Sequence, residues 1–259
     1  MVRFRRSRSF TLVELAVAIG ILSALSAIVY PITQAVMNHI HRAKAASNLR
    51  LIARAHAQFI SDFGRAITSS DVKNMSGDHA HTANNFAALL AKYGYIEDVS
   101  IWAWDFDYKV KAFKNDPSKP FPTEIYDPST KEIHTHFKIV PLSVVCGIVQ
   151  CPNFDCKTLL KGKFPAAYSR GLQKNGSWID SSPSNDNGGV FGSKGGLIAY
   201  YDGSVEWCPH TVNKFVNFLT QTGTSKICET IPNSHQLSES TQCADSNFLS
   251  WTGPNACEI

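Results

Sequence analysis

Apolar residues form a near-continuous run of 23 positions from 10 to 32, FTLVELAVAIGILSALSAIVYPI. A helix rises about 1.5 Å per residue, so this run is about 34 Å long and can cross a bilayer core of about 30 Å. Pro31 is expected to kink this helix, because membrane helices tolerate an internal proline. Glu14 is the one charged side chain in the run, and a buried carboxylate is unfavourable without a partner. Glu14 is therefore the first candidate functional residue.

The pattern changes after residue 32 from uniformly apolar to amphipathic. Between Pro31 and Gly64 there is no glycine or proline, and large side chains recur at spacings of three and four residues, typical of one helix face. This stripe consists of Leu49, Ile52, His56, Phe59 and Phe63. His56 is interpreted as a packed histidine and not as a ligand, because no partner lies at helical spacing. We therefore predict one helix from Phe10 to about Phe63, membrane-embedded over 10–32 and amphipathic over 33–63.

Residues 64–259 have the mixed pattern of an α+β domain. The predicted elements are a helix over 83–93 ended by Gly94, a strand over 100–113 marked by alternating aromatic residues, a β-prone segment over 134–149 interrupted at Pro141, and a hairpin around Asp202-Gly203. The predicted fold class is α+β, in which the long N-terminal helix packs on an antiparallel β-sheet head.

The formal charge of +4 is located almost entirely at the N-terminus. Residues 1–9 contain four arginines and no acidic residue, which leaves 21 basic against 21 acidic residues in the remaining chain. These arginines are Arg3, Arg5, Arg6 and Arg8. A neutral remainder argues against a general nucleic-acid binder. The positive-inside rule places 1–9 in the cytoplasm as a leader and the head across the membrane, although Arg42 and Lys44 weaken the contrast.

All seven cysteines lie in the second half of the chain: Cys146, Cys151, Cys156, Cys208, Cys228, Cys243 and Cys257. Export into an oxidising compartment favours disulfides, with one thiol left over or paired between subunits. The alternative is a zinc site, because three of these cysteines are closely spaced and histidines are available. Its ligands would come from Cys146, Cys151, Cys156, His134, His136 and His210. Disulfides are the favoured interpretation, and no metal is expected.

Other chemical patterns are weak. Asp180, Asp186 and Asn187 lie in a glycine-rich polar loop that could bind calcium, but the loop lacks the spacing of an EF-hand, and no cofactor is expected. Ser70 and Lys73 match Ser-x-x-Lys without the companion motifs of that enzyme class, so no enzymatic activity is expected. The alternating aromatics Trp102, Trp104, Phe106 and Tyr108 are interpreted as one face of a sheet and not as a platform for sugars or bases.

The stretch FTLVEL followed by an apolar helix resembles the class III signal of type IV pilins and type II secretion pseudopilins. The resemblance implies that prepilin peptidase cuts between Ser9 and Phe10 and methylates the new amine of Phe10. Glu14 is then the fifth residue of the mature chain, where the family has its assembly glutamate, and Pro31 is at the family's helix kink. Ser9 stands where pilins usually have glycine.

The resemblance also implies partners and a location. The expected partners are prepilin peptidase, other pilin or pseudopilin subunits and inner-membrane lipids. The expected location is the inner membrane, as a single-pass protein with a cytoplasmic N-terminus and a periplasmic or extracellular head, or a filament built from it.

Three head segments resemble a narrower set, the prepilin-type proteins with processing-associated repeats of Lentisphaerae- and Verrucomicrobia-like bacteria. These segments are AALLAKYGYIEDVSIW, AYSRGLQKNGSW and GGLIAYYDGSVEW. That set has a histidine ten residues before the Asp-Gly of the third segment, whereas this chain has Gly192 there.

The assembly role of Glu14 has a physical basis. Cleavage before Phe10 creates an α-amine in the same membrane layer, and a neighbouring subunit's amine can neutralise the carboxylate. The alternative is that Glu14 only reaches the headgroups. Two other classes of protein remain: a soluble exported protein with a signal peptide, given Arg5-Arg6 and a possible cleavage site at Ala24-Leu25-Ser26, and an adhesion protein that uses the helix as an anchor.

Overall fold

The structure is a computed structural model that describes residues 11–67, 71–72, 75, 83–127, 129–130, 132–149, 165–172, 178–180, 189–209, 216–219, 225–228 and 248–251. The chain divides into two compact units, Met1–Ala43 and Lys44–Ile259. The α-helices include α1 Leu12–Phe63, α2 Ala83–Lys92 and α3 Tyr108–Lys114. Helix α1 contains Pro31 and ends at Phe63, so the prediction of one continuous N-terminal helix is confirmed.

The amphipathic stripe of α1 is buried in the core of the second unit. Leu49, Ile52, His56 and Phe59 are all buried, whereas Phe63, at the helix end, is 44% exposed. Helix α2 ends as predicted, because Gly94 takes a positive φ of 77° that favours glycine.

The described strands are β1 Tyr126–Asp127, β2 Glu132–Ile133, β3 Val144–Val149, β4 Pro165–Ser169, β5 Gly196–Tyr200, β6 Val205–Cys208, β7 Val216–Leu219, β8 Ser225–Cys228 and β9 Phe248–Trp251. The main sheet has the order β6-β5-β4-β3-β9, and every neighbouring pair is antiparallel. Strands β1 and β2 form one small antiparallel sheet, and β7 and β8 form another. The α+β fold class with an antiparallel head is therefore confirmed.

The predicted hairpin is present as β5 and β6. Leu197 pairs with Trp207 across it, and the turn includes Asp202 and Gly203. Gly203 has a φ of 81°, a left-handed conformation that glycine adopts without strain.

The predicted strand over 100–113 is wrong. Val99–Ile101 is a short 3-10 helix, and α3 begins at Tyr108. Both helices begin at an aspartate N-cap, since Asp98 accepts from the N–H of Ser100 at 2.7 Å and Asp107 accepts from the N–H of Lys109 at 3.1 Å.

The aromatic residues of that segment are not one face of a sheet. Trp102 and Trp104 are fully buried, and Phe106 and Tyr108 are half-buried.

In the β-prone segment, Thr135–Ile139 is likewise a 3-10 helix, and the strand begins only at Val144. In both segments N-cap side chains favour a helical start over a strand, and in the second segment Pro141 also interrupts the strand.

Two of the head segments singled out in the sequence lie against each other. The ring of Trp178 covers Gly196, the first residue of β5, so closely that a Cβ at Gly196 would overlap it. The Ser169 hydroxyl, at the end of β4, accepts from the N–H of Leu197 at 3.0 Å. Glycine at position 196 is therefore required by the close approach of an indole ring.

Candidate functional site

The first turn of α1 is closed by a reciprocal pair of side chains. The carboxylate Oε2 of Glu14 accepts from the backbone N–H of Thr11 at 2.9 Å and from the Thr11 hydroxyl at 3.0 Å. The N–H of Glu14 donates to the Thr11 hydroxyl oxygen at 3.2 Å. This Thr-x-x-Glu arrangement is a capping box, in which the two side chains satisfy backbone donors that the helix leaves unpaired.

The capping box changes the interpretation of Glu14. In the sequence analysis, Glu14 was assigned no partner in its own chain. Threonine three residues before a glutamate is, however, the sequence signature of a capping box, and Thr11 has that position. Both contacts with Thr11 use Oε2, and within the described residues Oε1 has no hydrogen-bond donor. Glu14 can therefore cap its own helix and still present one oxygen to another group.

The surface of α1 that follows is apolar and unburied. Among the exposed large apolar side chains, most lie in one stretch of α1: Leu12, Val13, Leu15, Val17, Ile19, Ile21, Leu22, Leu25, Ile28, Val29, Tyr30, Ile32, Val36, Met37 and Ile40. By length and composition, α1 is the one helix in the described residues that could cross a membrane. A signal sequence near the N-terminus has the same properties, so length alone does not decide between them.

Three hydroxyl side chains within this apolar stretch are satisfied by the helix itself. The hydroxyls of Ser23, Ser26 and Thr33 each donate to the carbonyl four residues earlier, at 2.8, 2.8 and 3.0 Å. Hydroxyls bonded in this way need no water, so the surface of the helix is compatible with hydrocarbon.

The residues predicted to be processed lie outside the described part of the chain. Ser9 and Phe10 are in that group, and the predicted cut between them stays a prediction. Pro31 lies inside α1, and the chain is helical on both sides of it, so the predicted kink at this residue stays a prediction.

Two cysteines have described side chains. Cys146 in β3 and Cys208 in β6 are both buried, and β4 and β5 separate their strands. Neighbouring strands lie about 4.8 Å apart, so these two residues are too distant to form a disulfide with each other. Burial raises the pKa of the Cys146 thiol, which disfavours the reactive thiolate. Cys228 lies in β8, while Cys151, Cys156, Cys243 and Cys257 lie outside the described residues, so the disulfide framework stays a prediction.

The zinc and calcium sites considered in the sequence lie partly outside the described residues, so both stay predictions. Within the described residues, no group of three or more histidine, cysteine, aspartate or glutamate side chains could hold a metal. His134 and His136 lie close together, with ring centroids 5.6 Å apart, but His210 is outside the described residues. The residues Asp186, Asn187, Ser70 and Lys73 also lie outside them, and of the calcium candidates only Asp180 is described.

A buried polar network in the head was missed by sequence reasoning. Asp107 accepts from Arg170 at 2.8 Å and from the hydroxyl of Ser143 at 2.6 Å. Arg170 also donates to the carbonyl of Leu142 at 2.7 Å, and the N–H of Trp104 donates to Ser143 at 3.0 Å. Because these side chains are buried and bonded to one another, the network serves the fold and offers no accessible group for catalysis.

His56 joins α1 to the hairpin. Its Nδ1 lies 3.0 Å from the hydroxyl of Tyr201, and its ring lies edge-on to Phe86 with centroids 5.1 Å apart. Burial lowers the pKa of His56 to about 3, so the imidazole is neutral at physiological pH. The prediction of a packed histidine agrees with this environment.

Comparison with known proteins matches a family motif near the N-terminus of the chain. The family model described as the prokaryotic N-terminal methylation motif matches residues 4–30. No curated protein and no solved structure matches the chain. The matched motif indicates a prepilin-like substrate of the type IV pilin and pseudopilin kind, and together with the apolar helix it fits a membrane-anchored, pilus-associated protein. The motif suggests a structural subunit and implies processing by prepilin peptidase and assembly with other pilins in general.

Proposed function

We propose that this chain is a pilin-like or pseudopilin-like structural subunit, cut by prepilin peptidase before Phe10 and assembled through α1 into a pilus or a type II secretion pseudopilus. The observation that carries the proposal is the methylation motif over 4–30 on a helix with a continuous, unburied apolar surface. In this proposal the subunit acts by assembly and not by catalysis. Its N-terminus is cytoplasmic, and its head lies beyond the inner membrane.

The geometry of the capping box supports a specific role for Glu14. Cleavage before Phe10 would place a new α-amine one residue before the N-cap Thr11. A carboxylate that caps its own helix through Oε2 is held in a fixed orientation, and its Oε1 can accept from the amine of an adjacent subunit. In an assembled filament each amine and each carboxylate would then have a partner, which favours one axial stagger of the helices.

The head carries the narrower part of the proposal. Its segments resemble prepilin-type proteins of Lentisphaerae- and Verrucomicrobia-like bacteria, and the packing of Trp178 on Gly196 gives two of those segments a common structural purpose. The disulfides among the cysteines of the head belong to the same proposal, because an exported head meets an oxidising environment.

The mature N-terminus tests the proposal most directly. The full chain is expressed with a prepilin peptidase, and its N-terminal peptide is identified by mass spectrometry. We expect N-methylated Phe10. Ser9→Gly should be cut at least as well, and Ser9→Leu should block the cut. A mature chain that starts at Ala27 would identify a conventional signal peptide, and one that starts at Met1 would identify a retained anchor, and either result overturns the proposal.

A further inference from the structure

The outer face of α1 in the second unit carries unneutralised positive charge. Arg50 and Arg54 are exposed and lie four residues apart on one helix face, where like charges destabilise a helix. Within the described residues, neither forms an ion pair or a side-chain hydrogen bond. Leu51 lies between them and is 42% exposed. We call these three residues the basic face.

A second surface of the same unit carries unneutralised negative charge. Segment 97–99 forms backbone hydrogen bonds with segment 123–125, and β1 continues from there and pairs with β2. We call the carboxylates of these segments the acidic ribbon: Glu97, Asp98, Glu124, Asp127 and Glu132.

The acidic ribbon places like charges directly opposite each other. Asp98 is the cross-strand partner of Glu124, and Asp127 is the partner of Glu132, an arrangement that destabilises a sheet. Asp98 and Asp127 accept hydrogen bonds from nearby serine and threonine groups, but none of the five carboxylates forms an ion pair within the described residues. None of them belongs to a group there that could hold a metal ion.

The two surfaces lie on different sides of α1, so one chain does not bring them together. The side-chain amide of Asn48 donates to the carbonyl of Ser100 at 3.3 Å, which places the end of segment 97–99 beside the Asn48 flank of the helix. A helix turns about 100° per residue, so Arg50 lies about 200° around the helix from Asn48. The basic face is therefore directed away from that flank.

We propose that the acidic ribbon of one copy binds the basic face of α1 in a second copy. This inference rests on the proposed function and names one contact between neighbouring subunits of the assembly. A second copy relieves the like-charge repulsion of both surfaces at once, whereas an anionic lipid or another acidic molecule would neutralise the basic face alone. Because the contact joins two different surfaces, a pair of subunits still has one free basic face and one free acidic ribbon. Further copies can bind to these surfaces, as a filament requires.

The test is charge reversal in the full chain, purified in detergent micelles after cleavage by prepilin peptidase. Arg50→Glu with Arg54→Glu reverses the basic face, and Glu124→Lys with Glu132→Lys reverses the acidic ribbon. We expect each pair to raise the dissociation constant of self-association about tenfold or more at about 0.05 M salt, measured by sedimentation equilibrium. The variant with all four substitutions should regain most of the affinity, because its complementarity is inverted and not lost.

A matched control reverses charges elsewhere. Lys92 and Lys194 are exposed and lie outside both surfaces. Lys92→Glu with Lys194→Glu changes the net charge by the same amount as the double arginine reversal and should leave self-association unchanged. A direct readout uses Arg54→Lys, which keeps the charge and allows a carbodiimide cross-link. Mass spectrometry should then find the introduced lysine joined to Glu124 or Glu132 of another chain.

Each other outcome contradicts the contact. If the fourfold variant folds but does not recover, or if the control loses affinity equally, the two surfaces do not bind each other. If only the arginine reversal has an effect, and it lowers binding to phosphatidylglycerol vesicles and not self-association, the occupant of the basic face is a lipid. Cleavage before Phe10 is measured in the same preparations. A chain that is cut but lacks this contact contradicts the contact and not the proposed function, whereas an uncut chain overturns the proposed function.

Discussion

The guanidinium of Arg170 donates to the carboxylate of Asp107 at 2.8 Å, although 63 residues separate them in the chain. Asp107 is the N-cap of α3, and Arg170 directly follows β4. The side chains are 0% and 6% exposed, respectively, so water does not screen the pair. The ion pair therefore fixes the start of a helix to the end of a central strand.

Removal of the charge on Asp107 should destabilise the head strongly. Asp107→Asn keeps the shape of the side chain but leaves the buried Arg170 uncompensated, which lowers the free energy of unfolding by about 3–5 kcal/mol. Urea unfolding of the full chain in detergent, followed by tryptophan fluorescence, measures this change. Asp116→Asn is the control, because Asp116 pairs with Lys119 at the surface and such pairs contribute little. Equal effects of the two substitutions would contradict a special role for the buried pair.

The contact between Trp178 and Gly196 predicts a packing defect. Gly196→Ala places a methyl group where the indole ring lies, and overpacking of this kind costs about 1–3 kcal/mol of unfolding free energy. Gly203→Asn is the matched control, because Gly203 has open space around it and asparagine tolerates its left-handed backbone. The measurement is the thermal midpoint of each variant. An unchanged midpoint for Gly196→Ala would show that the ring moves aside without cost.

The elements that could be predicted from sequence are those whose signals are local. The length of α1 and its stripe from Leu49 to Phe59 follow from periodicity, and the hairpin follows from Asp202-Gly203. The strand predicted over 100–113 was wrong because alternating aromatics have the same period as a strand, while the N-caps Asp98 and Asp107 decide the backbone. The pairing of Asp107 with Arg170 depends on the sheet order, and no local pattern predicts it.

Acid should destabilise the head through His56. The folded chain binds a proton there only near pH 3, whereas an unfolded histidine binds one below about pH 6.5. Between these values the unfolded state holds more protons, so the free energy of unfolding falls as the pH falls, by up to about 1.4 kcal/mol per pH unit. Urea unfolding at several pH values measures this slope.

The substitution His56→Gln removes the titrating group and should flatten the slope between pH 3 and pH 6.5. His39→Gln is the control, because His39 is exposed and should leave the slope as it is in the wild type. A slope that survives in His56→Gln would assign the acid sensitivity to other groups. Tyr201→Phe adds a second check, because it removes the hydroxyl next to the imidazole of His56 but keeps that imidazole buried.

The capping box allows the two roles of Glu14 to be separated. Glu14→Gln keeps an oxygen that can accept from the N–H of Thr11, so the first turn of α1 should stay ordered, but the negative charge is lost. Thr11→Val removes the hydroxyl from the capping box and leaves the charge of Glu14 in place. If Glu14 binds the amine of a neighbouring subunit, Glu14→Gln should abolish filament formation after cleavage, and Thr11→Val should only reduce it. Filament yield and hydrogen exchange of the amides at 12–16 measure the two effects in the same samples. Ser23→Ala, which removes a hydroxyl bonded only to its own helix, should change neither. If Glu14→Gln assembles normally and Thr11→Val does not, Glu14 serves the helix end alone, and the partner of the Phe10 amine must be sought elsewhere.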